Sequence, residues 1–500
     1  MSLFDYFQSN HRPWPPEEYQ PMQEKMREWA AWYSGSVSKL AQVYTERLTM
    51  PYSTIGKFWQ KTERQERIEK VHFPLAGDIA SVSADLLFSE PPTIRIPEAQ
   101  EDEASRDAKA TQDRINQITG NNQTYSTLVE AAESSAALGG TYLKINWDTS
   151  FKDFPLLSVA QADAAIPTFK WGYLQEVTFF KIVKRDGSQV FRKLETHRIP
   201  ENRETSIIEN ELYKGTDGNL GNKVGLDTLE KTEGLEPVVD TGIEDLLVRY
   251  IPNSLPNRVW REHSLGNSDY QGLVGLLDSL DETYSSLVRE LRLSKIEKIV
   301  PEGWLDYNTN NDSLFYDPDK STYTKMNMPP DEMDKPEMIQ PDIRVDDYVS
   351  TIEQMTQDII TSAGYSPQYF GLNIEGRSES GTALKVREEK TQQTRDKKVR
   401  YFKSPLEDLF QLILKVDAKH FGNNEINPEL EPEVELSEAL KINPKEQANT
   451  LKILDQARAI STYRKVKERH PDWSEDEIQS EVERIQGEQG MAVESPTEMP

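Results

Sequence analysis

The longest apolar seam of the sequence lies between residues 268 and 298, in the stretch SDYQGLVGLLDSLDETYSSLVRELRLSKIEK. Its apolar residues recur at spacings of three and four, which is the repeat of one helix face. These residues are Leu273, Leu277, Leu280, Tyr284 and Leu287. A helix over 268–298 would be about 45 Å long, longer than most helices of globular domains. The seam predicts an elongated, modular subunit.

A second seam with the same repeat follows at residues 345–364, where it includes Ile352, Met355 and Ile359. We expect the two seams together to exceed what one subunit can cover, so that they pack between subunits. The residues between them, 299–344, contain prolines and Asn-rich turns, and a hairpin is predicted near Leu314–Lys325. Two long helices therefore flank a small excursion.

A third long helix is predicted at residues 383–422, after the polar loop of residues 365–382. Its apolar seam begins only at Val399, and Pro405 lies inside that seam, which predicts a kink about one turn earlier. Residues 423–500 read as an acidic, proline-containing linker followed by a small helical module.

The first 265 residues mix both kinds of pattern. Helical periodicity covers residues 15–48, the stretch with Ile79 to Leu87 that stops at Pro91 and Pro92, and the residues before Gly139 and Gly140, whereas short β-like runs such as TIRI, PLLSVA, VTFFKIVKR and SIIENELY follow. The expected fold class is α+β, mostly helical, with the strands confined to the first half and the excursion.

Composition excludes several classes of function. The chain has no cysteine, so disulfides, thiolate zinc sites and cysteine nucleophiles are absent. A formal net charge of −27 opposes tight nucleic-acid binding, and any DNA contact should be loose. No apolar run approaches the length of a membrane span, and the N-terminus lacks a signal-peptide pattern, so we expect a soluble protein without a membrane partner.

Residues 371–378 read G-x-x-x-x-G-R-S, one substitution from a phosphate-binding loop. Such a loop needs a buried strand before it and a lysine, whereas this one follows a proline turn and has Arg377. The six histidines are scattered without metal-ligand spacing, and adjacent carboxylates such as Asp346 and Asp347 are expected on solvated faces of an acidic chain. We expect no catalytic residue, no metal and no cofactor.

A local basic stripe interrupts the acidic composition. Between Lys385 and Lys403, eight residues are basic and three are acidic. The candidates for contact are Lys385, Arg387, Lys390, Arg395, Lys397 and Lys398. Such a stripe faces phosphates or neutralises a neighbouring subunit.

Several segments together resemble the portal proteins of tailed bacteriophages. PLAGDIASVSADLLFSEPPTI is the most specific of them, and EWAAWYSG and AALGGTYLKINWD are similar to the family's early helix and its helix-to-strand step. SDYQGLVGLLDSLDETYSSLVRE resembles the first stem helix, SGTALKVRE the start of the long kinked helix, and ISTYRKVKERHPDWSEDEIQSEVERI the crown.

This resemblance implies a ring, usually of twelve subunits, at the vertex of the phage head. The wing would comprise residues 1–265 and the long kinked helix 383–422, and the stem the helices 266–298 and 345–364. The clip would be 299–344, the tunnel loop 365–382, and the linker and crown 423–500. The resemblance implies that the apolar residues of the two stem seams pack between subunits: Leu273, Leu277, Leu280, Tyr284, Leu287, Ile352, Met355 and Ile359.

The resemblance also implies the function and partners. The ring would pass double-stranded DNA during packaging and ejection, and would not itself be an enzyme. Its partners would be terminase, the major capsid and scaffold proteins and the head–tail adaptor, in the host cytoplasm during assembly and then in the virion. The channel-lining candidates of the tunnel loop are Asn373, Glu375, Gly376, Arg377, Ser378 and Glu379.

Two alternatives come from other classes of protein. A packaging ATPase-nuclease would need an intact phosphate-binding loop followed by an acidic strand, and neither pattern is present. Another head–tail structural protein, such as a minor head protein or an adaptor, would usually be shorter and would lack the paired stem helices.

Overall fold

The structure is a computed structural model. It describes residues 12–46, 70–97, 102–121, 123–261, 263–293, 344–372, 381–423, 425–436, 460–469 and 475–488, with short stretches at 297–301, 307–308, 313–314, 323–326, 337–339, 452–453 and 456–457. The chain divides into two compact units, Met1–Ser437 and Glu438–Pro500. The first unit contains all of the elements on which the functional argument depends.

Five helices form the N-terminal part of the first unit. They are α1 (Gln20–Tyr33), α2 (Val37–Glu46), α3 (Leu75–Leu87), α4 (Asp102–Asn121) and α5 (Thr124–Leu138). The single helix predicted over residues 15–48 is wrong, because α1 ends at Tyr33 and Gly35 adopts a φ of +62°. A left-handed glycine terminates a helix at low cost, and the periodic residues on both sides disguised the break.

The described strands of the first half lie mainly in two sheets, and β1 pairs outside them. These strands are β1 (Thr93–Arg95), β2 (Gly140–Asn146), β3 (Leu156–Gln161), β4 (Ala165–Lys170), β5 (Tyr173–Asp186), β6 (Gln189–Arg198), β7 (Ile207–Thr216), β8 (Asn219–Val224), β9 (Val238–Asp240) and β10 (Val248–Pro252). The smaller antiparallel sheet has the order β10-β2-β3, and the larger has the order β4-β5-β6-β7-β8 with β9 paired to β7. The α+β prediction is confirmed. Strand β8 was missed because its sequence, NLGNKV, is polar and contains glycine.

Three helices dominate the second half: α6 (Val274–Leu293), α7 (Val345–Ala363) and α8 (Gly381–Phe421). The start predicted for the first of them is wrong, because the chain before Val274 forms turns in which the Leu273 N–H donates to the Tyr270 carbonyl. Gly272 has a φ of +82°, which a continuous helix does not allow. Helix α6 is therefore about 30 Å long. Pro405 lies inside α8.

The residues between α6 and α7 contribute short strands: β11 (Glu297–Pro301), β12 (Tyr307–Asn308), β13 (Ser313–Leu314), β14 (Tyr323–Met326) and β15 (Glu337–Ile339). The hairpin predicted near Leu314–Lys325 is wrong. Strand β13 pairs with β12, and β14 pairs in parallel with β11, which β15 joins on its other side. Alternation of apolar residues identifies strands but does not specify their partners.

The main core joins the two halves of the sequence. The second half of α8 is buried among α3, α4, α5 and the smaller sheet, through Phe402, Leu406, Leu409, Phe410 and Ile413. Strand β16 (Glu433–Glu435) pairs with β1, so the stretch predicted to begin a linker at residue 423 is folded onto the first unit as far as Leu436. In the second unit, α9 (Thr462–Arg469) and α10 (Glu475–Glu488) enclose a small core of Val466, Ile478 and Val482.

An aromatic cluster beside the larger sheet contains a neutral histidine. The His263 ring stacks on Trp260 at 4.0 Å and meets Tyr19 and Phe169 edge-on. Its Nδ1 accepts a hydrogen bond from the Leu265 N–H, which requires that nitrogen to be unprotonated. Burial lowers the pKa of His263 to about 4.

We expect His263 to make the protein less stable as the pH falls. Its pKa is lower in the folded chain than in the unfolded chain, so the unfolded state takes up more protons between pH 6.5 and about 4. Because the ring is partly exposed, the loss of free energy of unfolding between pH 7 and pH 5 should be about 1 kcal/mol. Denaturant unfolding of the wild type and of His263→Asn at both pH values measures it. An equal pH dependence in the two proteins would contradict the prediction.

Candidate functional site: the helix pair and the base of the 373–380 loop

Helices α6 and α7 form an antiparallel pair. At one end the Tyr365 hydroxyl donates to Asp269 Oδ2 over 2.7 Å, and in the middle Thr283 Oγ1 lies 3.9 Å from Met355 Sδ. At the other end the Arg344 guanidinium lies 3.7 Å from the Glu290 carboxylate. These contacts keep the two helices in register along their length.

Most of the residues predicted to pack between subunits are instead buried by other parts of the same chain. Leu273, Leu277, Leu280, Ile352 and Ile359 are buried, and Tyr284, Leu287 and Met355 are half-buried. The expectation that these seams exceed what one subunit can cover is therefore wrong for the buried five. The reason is that the two seams face each other, which periodicity within each helix could not reveal.

Other apolar residues of the same helices remain exposed. Val345 and Val349 lie one turn apart at the start of α7 and are 39% and 42% exposed, and Leu276 on α6 is 39% exposed. Val345 and Val349 lie on the same side of α7, and adjacent exposed apolar side chains can form part of a contact surface. These residues, rather than the buried seams, are the candidates for contact with a neighbouring subunit.

A buried carboxylate fixes the segment before α3 to α6. Asp281 is fully buried; one of its oxygens lies 2.7 Å from His72 Nδ1 and the other accepts from the Phe73 N–H. The Ser285 hydroxyl accepts from the Val71 N–H, and the Phe73 and Tyr284 rings stack at 5.4 Å. Burial raises the pKa of Asp281, which His72 and the Phe73 N–H counteract. Helix α6 is thus attached to the α+β part by polar contacts.

A buried ion pair joins the base of the helix pair to α8. Lys398 Nζ contacts Asp269 Oδ2 and donates to the Ser83 hydroxyl at 2.6 Å, and both charged side chains are 5% exposed. Burial lowers the pKa of Lys398, and Asp269 opposes this. Four segments of the chain meet at this point, because Tyr365 also binds Asp269. We call Lys398, Asp269, Tyr365 and Ser83 the junction.

Hydrogen bonds attach the end of α7 and the residues after it to α8, next to the junction. The Ser366 N–H donates to Thr391 Oγ1 at 2.9 Å, and Thr394 Oγ1 donates to the Gly364 carbonyl at 2.9 Å. Lys390 Nζ donates to the Thr361 carbonyl at 2.7 Å. These contacts fix the chain that precedes residues 373–380 to the part of α8 around Lys390 and Thr394.

The structure divides the predicted basic stripe. Arg395 donates to the Leu86 carbonyl and Lys398 belongs to the junction; both are buried, so neither is available to DNA or to a neighbouring subunit, and this part of the prediction is wrong. Lys390 and Lys397 are exposed, although each also donates to a backbone carbonyl. Arg395 and Lys398 lie on the buried side of α8, so their charges contribute to the folded structure. The sequence alone did not show which basic residues of the helix face inward. The side chains of Lys385 and Arg387 lie outside the described residues.

The six loop residues predicted to line a channel, Asn373, Glu375, Gly376, Arg377, Ser378 and Glu379, also lie outside the described residues, and their role stays a prediction. What precedes the loop is described: it is a 3-10 turn at Pro367–Phe370, ended by Gly371 with a φ of +72°. A phosphate-binding loop follows a buried strand. The described residues before this loop form a 3-10 turn and not a buried strand, so they do not provide the structural context of a phosphate-binding loop.

Sequence reasoning missed the residues that position the helices. Asp269, Asp281 and Tyr365 carry the buried polar contacts, yet nothing in their local sequence distinguishes them from solvated residues. The one usable signal was Asp281 itself, a charged residue between the apolar seam positions Leu280 and Tyr284. Within the described ranges, no group of three or more His, Cys, Asp or Glu could hold a metal ion, and no helix is long and apolar enough to cross a membrane.

A pair of long helices, held by buried polar contacts to an α+β part and leading through a loop into a 41-residue helix, is the build of a structural subunit. The family model described as phage portal protein, SPP1 Gp6-like, matches residues 22–495. The chain therefore belongs to this family of phage portal proteins. A comparison with curated proteins gives no significant match.

Proposed function

We propose that the protein forms the ring at the head vertex through which double-stranded DNA is packaged and ejected. The observation that carries this proposal is the family match over residues 22–495. The antiparallel pair α6 and α7 supports it, because this pair has the place in the sequence that the resemblance assigns to the stem. In this proposal the ring has twelve subunits and the protein is not an enzyme.

The tunnel-loop residues Asn373, Glu375, Gly376, Arg377, Ser378 and Glu379 are proposed to line the channel of that ring. The support is positional: these residues lie between the 3-10 turn that follows α7 and the first residue of α8. Hydrogen bonds fix the chain before them to α8, so a polar, glycine-containing loop at this place can contact a passing duplex without disturbing the rest of the fold. The net charge of −27 keeps that contact loose, because phosphates are not held by clustered cations.

The partners follow from the same proposal. Terminase would dock on the excursion between α6 and α7, and the major capsid and scaffold proteins and the head–tail adaptor would contact the rest of the ring. The protein would assemble in the host cytoplasm and remain at the head vertex of the virion. These partners and this location are proposed from the family match.

We expect ring assembly to depend on the exposed apolar residues of α7. The double variant Val345→Asp/Val349→Asp should fold normally, because both sites are exposed and Val345 is the first residue of α7, where aspartate is favourable. It should release smaller species from the ring, since charges would be buried between subunits. Native mass spectrometry and negative-stain images of the wild type and of the variant measure this.

Phe151→Asp is the matched control, because Phe151 is 67% exposed on the loop after β2 and should leave rings intact. Leu280→Asp should instead prevent folding, since Leu280 is fully buried within the chain. A wild-type protein that stays monomeric at micromolar concentration would contradict the proposed function. Intact rings of the α7 double variant would contradict only the assignment of the contact face.

A further inference from the structure

The turn between β4 and β5 presents two aromatic side chains to solvent. Trp171 is 90% exposed and Tyr173 is 75% exposed, with Gly172 between them. Trp171 and Gly172 have φ values of +53° and +89°, which are those of a two-residue type I′ hairpin turn. We call residues 170–173 the tip.

Folding does not explain a tryptophan at this position. Type I′ turns favour Asn, Asp or Gly as their first central residue, because a bulky side chain is unfavourable at positive φ. The exposed side chain of Trp171 gains almost no burial that would offset this cost. Among the described residues, only Lys170 contacts the face of the indole ring, with its Nζ 5.0 Å from the ring centroid. Exposed aromatic side chains of this size are enriched where proteins contact partners.

A cleft of about 960 Å³ opens directly beside the tip. Its walls include the tip residues Gly172 and Tyr173, the aromatic rings of Phe169 and Tyr250, and Pro256. The far side is formed by α8 around Pro405. The cleft is partly open to solvent, so a segment of another protein can enter it from the surface.

The rim of the cleft is basic although the chain is acidic overall. Lys170 at the tip and Arg261 in the cleft wall are exposed, and so is Lys397, which donates to the carbonyl of the cleft residue Leu255. The two carboxylates of the wall, Asp245 and Asp408, both contact Arg249, whose single positive charge offsets one of them. Lys170, Arg261, Lys397 and Arg249 together still outnumber the two carboxylates, so the net charge of these residues is positive.

We propose that the tip and the cleft bind an extended, acidic segment of another protein, with an aromatic or large aliphatic side chain under the tip. Single-stranded nucleic acid fits less well, since it carries a charge at every nucleotide against a net charge of −27. The proposal does not depend on the channel role of the 373–380 loop.

The test is selection of random dodecapeptides displayed on phage against the full-length wild-type protein, followed by fluorescence anisotropy of the enriched peptide. The enriched sequences should combine Asp or Glu with an aromatic or large aliphatic residue. Trp171→Ser/Tyr173→Ser should weaken binding at least about tenfold, and Arg261→Gln about threefold, as is usual for a central aromatic and a rim charge. Phe151→Ser, which removes an exposed aromatic elsewhere, should bind like the wild type.

Three binding results would overturn the proposal. They are the absence of any enriched peptide, equal binding of the enriched peptide to the tip variant, and tighter binding of a twelve-nucleotide single strand than of the peptide. A changed oligomeric state of the tip variant would reassign the tip to subunit contact and would overturn it as well. Circular dichroism of each variant at the same temperature verifies that the fold is retained.

Discussion

Replacing Lys398 by methionine should lower the free energy of unfolding by about 3–5 kcal/mol, the usual cost of removing one partner of a buried ion pair. The substitution leaves the Asp269 carboxylate buried at the junction with the Tyr365 hydroxyl as its remaining contact there, together with the Asn253 amide. Methionine keeps most of the side-chain length, so the loss reports the charge and its hydrogen bond to Ser83. Urea unfolding followed by circular dichroism measures it.

Lys397→Met is the matched control, because the neighbouring lysine is exposed and should change stability by less than about 0.5 kcal/mol. Asp269→Asn combined with Lys398→Met should be less destabilised than Lys398→Met alone, since no charge then remains buried. Equal stability of Lys398→Met and Lys397→Met would show that the junction contributes nothing. The description of four segments held together by one ion pair would then be wrong.

Replacing Gly376 by tryptophan should abolish or strongly reduce DNA packaging while rings and proheads still form. In the proposed ring every subunit contributes one loop to the same channel, so a bulky side chain is repeated around the duplex. Tryptophan also restricts backbone conformations that glycine allows. Complementation of a portal-deficient phage, with measurement of ring yield and of packaged DNA length, tests this.

Asn373→Ala, Glu375→Ala and Arg377→Ala are the matched variants without added bulk. Each should change subunit stability by less than about 0.5 kcal/mol, as surface substitutions usually do, while reducing packaged length or retention. Loss of ring assembly together with packaging would make the loop structural. Normal packaging by all four variants would remove its proposed role in the channel.

The junction and the loop are connected by their position in the chain. The hydrogen bonds of Ser366, Lys390 and Thr394 attach α8 to the end of α7, nine residues and more beyond the first residue of α8, and Lys398 follows Thr394 by one turn. A change in residues 373–380 is therefore expected to stay local, because the chain before them and α8 are joined by these contacts and by the buried ion pair. This is the physical reason why loop variants should keep their stability and Lys398→Met should not.

Local sequence patterns specified the types of element and their order. Helical spacing identified α6, α7 and α8, alternation identified β5, β6 and β7, and the motif resemblance identified the portal family, which the match over residues 22–495 confirms. These signals are local, since each depends on residues less than about forty positions apart. They also missed local breaks such as Gly35, because glycine within a periodic pattern does not always end a helix.

Only the tertiary structure decided which faces of those elements are covered. Leu280 and Ile352 are buried within one chain because α6 and α7 face each other, and Lys398 is buried because Asp269, 129 residues away, meets it. A lysine in a basic stripe and a lysine in a buried ion pair have the same local sequence pattern. Pairing over long sequence distances depends on the fold as a whole, because the partner that makes burial of a charge favourable is contributed by another part of the chain.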